Sequence, residues 1–417
     1  MNQFRPQRPF RPPAPRFVRD EAPPAGSENW SAPWVQLKTI SFSPTIYPAM
    51  IKAASPGAKA GDLVTVYKKD GSVFGMGLFN PKARVPLRVL IHGEQPAGED
   101  YFTTAIERAV DWRVKTLKLD AQMDCYRVVN SDGDALSGLT VDRYADTLSV
   151  EIHSLGIYQR LPQILTALHE RLGTKREVVN VDDHIARIEG INVKRPKEAP
   201  PKQVRVREHG VRYEVDFSKG HKTGFFCDQR ENRLLFSRLV KDRRVLDVCC
   251  YTGGFAVTAA TLGEPAEVTG VDLDEDAIAQ ARRNGNLNQQ NRIKWIHADG
   301  FGWMRQAFQN GARWDAVVLD PPKLVQGDEE EQRLGWQKYE DMNRLGASLV
   351  EPGGVFVTCS CSGLVSMEAF ENLVIRSVHR LNRRLQIFDR TGPGHDHPVM
   401  SNALEGRYLK VLWARLW

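Results

Sequence analysis

Two cysteines separated by one serine, Cys359 and Cys361, follow an apolar run, Val355-Phe356-Val357-Thr358. A thiolate can add to an unsaturated carbon, and it forms most readily in an exposed, electropositive setting. Alternation along an extended strand puts Val355, Val357 and Cys359 on one face, so Cys359 reads as a buried strand residue. Cys361 falls just past the strand, flanked by Ser360, Ser362 and Gly363, where exposure is expected. Cys361 is therefore the candidate nucleophile. Acids close the other apolar runs: Asp247, Asp272, Asp299 and Asp320. Asp320 opens Asp320-Pro321-Pro322-Lys323, which sets an acid and two rigid residues at the mouth of any pocket there.

Around Asp247 the chain reads Arg244-Val245-Leu246-Asp247-Val248-Cys249-Cys250-Tyr251-Thr252-Gly253-Gly254-Phe255. This is a strand, a tight glycine turn and the start of a helix. Such a turn lets a ligand approach the backbone, and an acid ending the next strand, here Asp272, can accept both hydroxyls of a ribose. A dinucleotide would want G-x-G-x-x-G to seat its pyrophosphate. Two adjacent glycines make a poor phosphate cradle but suit S-adenosylmethionine, which has no phosphate. Asp247, Thr252, Gly253 and Gly254 would shape its methionine end, Asp272 would hold the ribose, and Asp299 could accept from the adenine amino group. Cys249 and Cys250 read as packing residues of the turn.

A methyl donor beside a thiol narrows the reaction. Methylation of an exocyclic base amine resembles enzymes with an aromatic after Pro-Pro, and Lys323 stands there instead. Methylation of a pyrimidine at C5 needs a thiolate to add at C6 first, because C5 is too weak a nucleophile unaided. The end of the strand carrying Cys361 supplies that thiol. For the base that removes the C5 proton, Asp320 and His397 are the candidates. Cytosine-C5 methylation is the leading reading and uracil-C5 methylation follows the same covalent logic. A reading of another class is a non-catalytic RNA-binding or ribosome-assembly factor, against which the cofactor motifs and Cys361 both argue.

The elements that must position these residues follow from the patterning. From residue 208 to 417 strands and helices alternate, which predicts an α/β, doubly wound, Rossmann-like sheet with every marked residue at a strand's carboxyl end. Residues 99–193 read as a middle α/β domain, with a helix over residues 101–118, another over Tyr158 to Leu172, and strands between and after them. Residues 33–98 hold short β-like runs and the hairpin signal Asp70-Gly71, which predicts a small β-barrel resembling the PUA domain, an RNA-binding module. Residues 194–207 carry Lys194, Arg195, Lys197, Lys202, Arg205 and Arg207 among prolines and read as a basic linker. Residues 1–32 interleave Arg5, Arg8, Arg11, Arg16 and Arg19 with prolines and read as a disordered basic arm able to touch phosphates.

The bulk numbers fit this picture. The 417 residues allow two or three domains. A net charge of +6 leans toward a polyanionic partner. No apolar run is long enough to span a membrane and the first residues lack an apolar core, so a cytoplasmic protein is expected. The six cysteines form no C-x-x-C pair, which disfavours metal and disulfide readings.

Taken together, Gly220-His221-Lys222-Thr223-Gly224-Phe225-Phe226-Cys227-Asp228-Gln229-Arg230, Tyr251-Thr252-Gly253-Gly254-Phe255-Ala256, Asp320-Pro321-Pro322-Lys323, Ser360-Cys361-Ser362-Gly363-Leu364, Asp396-His397-Pro398 and Tyr408-Leu409-Lys410 are specific strings in a fixed order. On them the chain, from about residue 34 to 417, resembles the RlmI/YccW-like family of 23S ribosomal RNA cytosine-C5 methyltransferases. The resemblance implies a PUA domain, a middle α/β domain and a class I S-adenosylmethionine methyltransferase domain. It also implies Cys361 as nucleophile, 23S ribosomal RNA as substrate and a homodimer. Within the cofactor pocket it implies Asp228 and Arg230 on one wall, with Tyr251, Phe255, Asp320 and Pro321 beside the glycine turn.

Overall fold

The structure is a computed structural model and describes residue 17 and residues 23–94, 98–194, 201–217 and 225–417. Most of the basic arm, the centre of the expected linker (195–200) and the start of the Gly220–Arg230 string (220–224) lie outside the described residues.

Strands β1 (Trp34–Leu37), β2 (Thr45–Ile46), β3 (Ile51–Ala54), β4 (Asp62–Tyr67), β5 (Val73–Phe79) and β6 (Leu87–His92) form one sheet in the order β2-β6-β5-β4-β1-β3. The Asp70-Gly71 signal holds: β4 and β5 pair antiparallel, Lys68 N–H donates to Ser72 O, and Gly71 takes φ 85°. Val35, Val64, Val66 and Phe79 fill the interior of this sheet.

The middle region contains α1 (Asp100–Asp111), β7 (Cys125–Asn130), β8 (Leu139–Tyr144), β9 (Thr147–Ile152), α2 (Leu155–Gln159), α3 (Leu161–Leu172), β10 (Arg176–Asn180) and α4 (Asp183–Glu189), with sheet order β10-β9-β8-β7. The helix expected from Tyr158 to Leu172 is two helices. Arg160 leaves the helical region at φ −97°, ψ 2°, and Pro162 sits in the first turn of α3, where a missing N–H costs nothing. The helix α4 went unread. Its start is set by Asp182, whose carboxylate accepts from the His184 and Ile185 amides.

The basic linker ends sooner than expected. Gln203–Glu208 is β11 of a hairpin with β12 (Val211–Asp216). Val204 and Val206 alternate inward while Gln203, Arg205 and Arg207 face solvent, so the charges that suggested a linker are the wet face of a strand.

The last region starts with α5 (Arg230–Ser237) and then alternates: β13 (Arg244–Val248), α6 (Gly254–Leu262), β14 (Glu267–Asp272), α7 (Glu275–Leu287), β15 (Lys294–His297), α8 (Gly300–Gln309), β16 (Trp314–Leu319), α9 (Glu329–Ser348), β17 (Val350–Ser360), α10 (Met367–His379), β18 (Leu385–Thr391) and β19 (Lys410–Leu416). The sheet order is β15-β14-β13-β16-β17-β19-β18, with β13 to β17 parallel and β19 antiparallel to both neighbours. Both faces are covered, so the central strands are apolar almost throughout. Val245, Val318, Val355, Val357 and Cys359 join one core, while Leu246, Val317, Leu319 and Phe356 join the other. Cys359 is fully buried, as the alternation requires. Among the described residues no helix is long and apolar enough to cross a membrane.

Candidate active site

The carboxyl ends of β13, β14, β16 and β17 meet at one place. Asp247 is the penultimate residue of β13, fully buried, and its Oδ2 accepts the Ala256 amide at 3.0 Å in the first turn of α6. Between them the turn takes left-handed conformations at Cys249 (φ 60°), Tyr251 (φ 48°) and Gly253 (φ 82°). Two non-glycine residues in that region are strained, and Asp272 holds one of them by accepting the Tyr251 amide at 2.8 Å. Gly253 is required as glycine: a Cβ there would come within 2.7 Å of the Trp295 ring.

A small cavity opens beside this turn. Phe226, Gln229, Asp247, Tyr251, Thr252, Gly254, Phe255 and Asp320 are among the residues lining it. Neither Asp247 Oδ1, of a residue lining the cavity, nor Asp228 Oδ1, beside the lining Gln229 in the chain, has a hydrogen-bond partner among the described residues, and both oxygens are buried. Buried polar atoms are rarely left unpaired, and both of these are acceptors. Burial pushes the Asp247 carboxyl up to about 8, the Ala256 amide opposes that rise, and the neighbouring Asp320 and Asp272 charges add to it. Burial likewise raises Asp320 to about 7, with Asp228 adding. Two carboxylates, a carboxamide and an aromatic wall fit a cationic sulfonium ligand with an amino-acid end.

Cys361 stands at the edge of this site. Its Sγ lies 3.9 Å from the Pro321 carbonyl oxygen, which joins the strings after β16 and β17. The loop that carries it is fixed from below: the Ser360 hydroxyl donates to Tyr339 Oη, the Tyr339 and Ser362 hydroxyls lie 3.0 Å apart, and Ser362 Oγ accepts the Val325 amide. Cys361 is half-buried, whereas burial drives the Cys359 thiol well above its ordinary value.

Two of the sequence expectations fare differently. Arg230 does not line the cavity. Its guanidinium is fully buried and forks onto both oxygens of Asp396, at 2.9 and 3.0 Å, so it is a structural ion pair. His397 is also withdrawn as a base, because its buried ring bonds Asp396 at 2.9 Å. Asp299 is exposed, is not among the residues lining the cavity, and caps α8 through the Gly302 amide at 2.8 Å. Three residues escaped the sequence reading. All three stood inside quoted strings with no role of their own: Gln229 lines the cavity, Tyr408 donates to Asp228 Oδ2 at 2.6 Å, and Lys410 approaches the Cys361 loop.

A parallel sheet with one reversed strand, and a carboxylate-lined cavity at its carboxyl edge, define a class I S-adenosylmethionine-dependent methyltransferase. The family profile described as S-adenosylmethionine-dependent methyltransferase matches residues 181–394, and a PUA-like domain profile matches residues 38–91. Curated relatives include ribosomal RNA large subunit methyltransferase I of Tolumonas auensis, 33% identical over 89% of this chain and 95% of its own length. The protein of the same name from Shewanella frigidimarina is 34% identical over 86% of this chain and 91% of its own. The chain belongs to the ribosomal RNA large subunit methyltransferase I family. Among solved structures, a protein from Streptococcus mutans proposed to be an S-adenosylmethionine-dependent methyltransferase superposes with a TM-score of 0.75 at 18% identity, covering 92% of this chain and all of that one. A second, solved with S-adenosylhomocysteine, gives 0.73 at 20% identity, over 86% of this chain and 92% of its own. Both support the fold.

Proposed function

We propose that the protein methylates C5 of a cytosine in large-subunit (23S) ribosomal RNA through a covalent bond between Cys361 and C6 of the base. The observation that carries this reading is the contact of Cys361 Sγ with the carbonyl of Pro321, the residue that follows the cavity-lining Asp320. The nucleophile then touches the residue next to the proton acceptor in the chain. The RNA assignment is supported by what the relatives are named for and by the PUA-like profile.

The residues divide the work as follows. The Cys361 thiolate adds to C6, and the electrons of the C5–C6 double bond make C5 nucleophilic. When bound, S-adenosylmethionine supplies an electrophilic methyl group. Asp320 takes the proton from C5, the double bond re-forms, and the thiolate leaves unchanged. A carboxyl held near 7 suits this role, because a base works best with a value close to the operating pH. Asp247, Tyr251, Thr252, Gly253, Gly254 and Phe255 wall the cofactor, with Gln229 beside them and Asp228 offering its unpaired oxygen to the amino-acid end. Asp272 holds the ribose, Asp299 keeps one carboxylate oxygen for the adenine amino group, and Pro321 fixes the mouth.

The test uses deproteinised ribosomal RNA, methyl-labelled S-adenosylmethionine, and wild-type, Cys361→Ala or Asp320→Asn protein. Wild type is expected to place label in 5-methylcytidine and Cys361→Ala to place none. Asp320→Asn is expected to accumulate a protein–RNA adduct that survives denaturation, because the methylated base cannot be released. Label in 5-methyluridine would correct the base, and activity surviving in Cys361→Ala would overturn the covalent mechanism.

A further inference from the structure

Among the described residues Lys410 is the only buried lysine, 3% exposed. It opens β19, the reversed strand, where its register partner on β17 is Ser360. Its Nζ donates to Ser362 O at 2.6 Å and to Tyr408 O at 2.7 Å. Lys410 is thus tied to the residues on both sides of Cys361. Among the described residues no carboxylate lies within ion-pair distance of Nζ. A buried ammonium served only by carbonyls is an uncompensated charge, and that is costly.

We propose that Lys410 positions and ionises the nucleophile: its ammonium, fixed by the Ser362 and Tyr408 carbonyls, is the counter-charge that keeps the Cys361 sulfur a thiolate at neutral pH. The inference rests on Cys361 being the nucleophile. The thiol proton leaves to solvent and Lys410 keeps its own, so the pair is a thiolate and an ammonium. Other groups face this sulfur too. Lys323, after β16, adds positive charge beside Lys410. Asp320, at the end of β16, opposes it when ionised. Tyr339 on α9 and Cys359 on β17 are held neutral, burial being the leading cause of the raised value of each. Burial pushes Lys410 down to about 8, the Cys361 charge opposes that fall and Lys323 adds to it. The pair therefore persists from the pH at which the thiol ionises up to about 8.

The test reads the thiol directly. Full-length protein is alkylated with iodoacetamide across a pH series, and modification of the Cys361 peptide is followed by mass. In wild type the midpoint is expected below 7.5, at least about one unit under an ordinary thiol. Lys410→Met is expected to raise it by a unit or more and to slow alkylation at pH 7 about tenfold, while Lys410→Arg, which keeps the charge, stays near wild type. An unchanged midpoint in Lys410→Met would leave Lys410 a packing residue and overturn the proposal. A wild-type midpoint at or above about 8.5 would overturn it without any variant, should Lys410→Met fail to fold. Methylation that survives Cys361→Ala would sink the nucleophile reading instead, and the alkylation curves would still report on Lys410.

Discussion

Asp247 and Asp320 enter the fold as carboxyls raised to about 8 and about 7, and this makes them sensors of both pH and ligand. Each binds its proton more tightly folded than unfolded. Their contribution to stability is therefore complete below the ordinary carboxyl value of about 4 and is lost as pH rises through 7 and 8. The ligand-free protein is expected to lose thermal stability across that window, and Asp247→Asn to flatten the loss. A cationic cofactor favours the ionised acids. Its affinity, measured by calorimetry, should rise with pH by up to about tenfold per unit and level off above about 8, more weakly in Asp247→Asn. A temperature midpoint that is flat between pH 5 and 8 would contradict the burial that raises these groups. These acids were legible in the sequence because each closes an apolar run. Arg230 was not, because its partner Asp396 is 166 positions away and nothing local distinguishes a buried ion pair from a ligand.

The turn from Cys249 to Gly254 is the element on which the cofactor wall depends. Gly253→Ala places a Cβ in a left-handed backbone, at about 1–2 kcal/mol from conformation alone, and drives it against Trp295. Denaturant unfolding is expected to register a larger loss than that, with weaker cofactor binding. Full stability in the variant would mean the turn can change its backbone. The glycine turn, the alternation of strands and helices and the place of Cys361 just past its strand were readable because apolar periodicity and punctuation fix them locally. The hairpin of β11 and β12 was not. Its outward residues are charged, and only the inward Val204 and Val206 show it to be a strand. The break at Arg160 was missed for a related reason, since apolar spacing continues across it while the backbone does not.

On the scale of the whole molecule, residues 395–398 bind the middle sheet to the catalytic one. Asp396 accepts from Arg230 and from the Arg127 amide, Arg113 donates to the Asp396 carbonyl, and Asn130 donates to the Pro398 carbonyl. Cys125 and Tyr144 of the middle sheet meanwhile share a core with Phe236 and Trp413. Paired charges hold Asp396 well below the usual carboxylate range against the effect of burial. Its stabilisation is thus present above about pH 4 and fades only in strong acid. Asp396→Ala strands the buried Arg230 charge, and a loss of about 3–5 kcal/mol is expected in chemical denaturation. A change of under 1 kcal/mol would show that the two sheets hold together without it.

That junction also has a consequence in time. The Arg113–Asp396 bond closes a separation of 283 positions, and long separations are the slow part of folding. Helices such as α9, with its own capping box, can form from neighbours alone. Asp228 takes its Tyr408 partner, and the Cys361 loop its Lys410 contact, from residues that follow the 395–398 segment in the chain. In refolding, helical signal should return before the cofactor can bind, and the interval between the two is the time the chain needs to find its own far end.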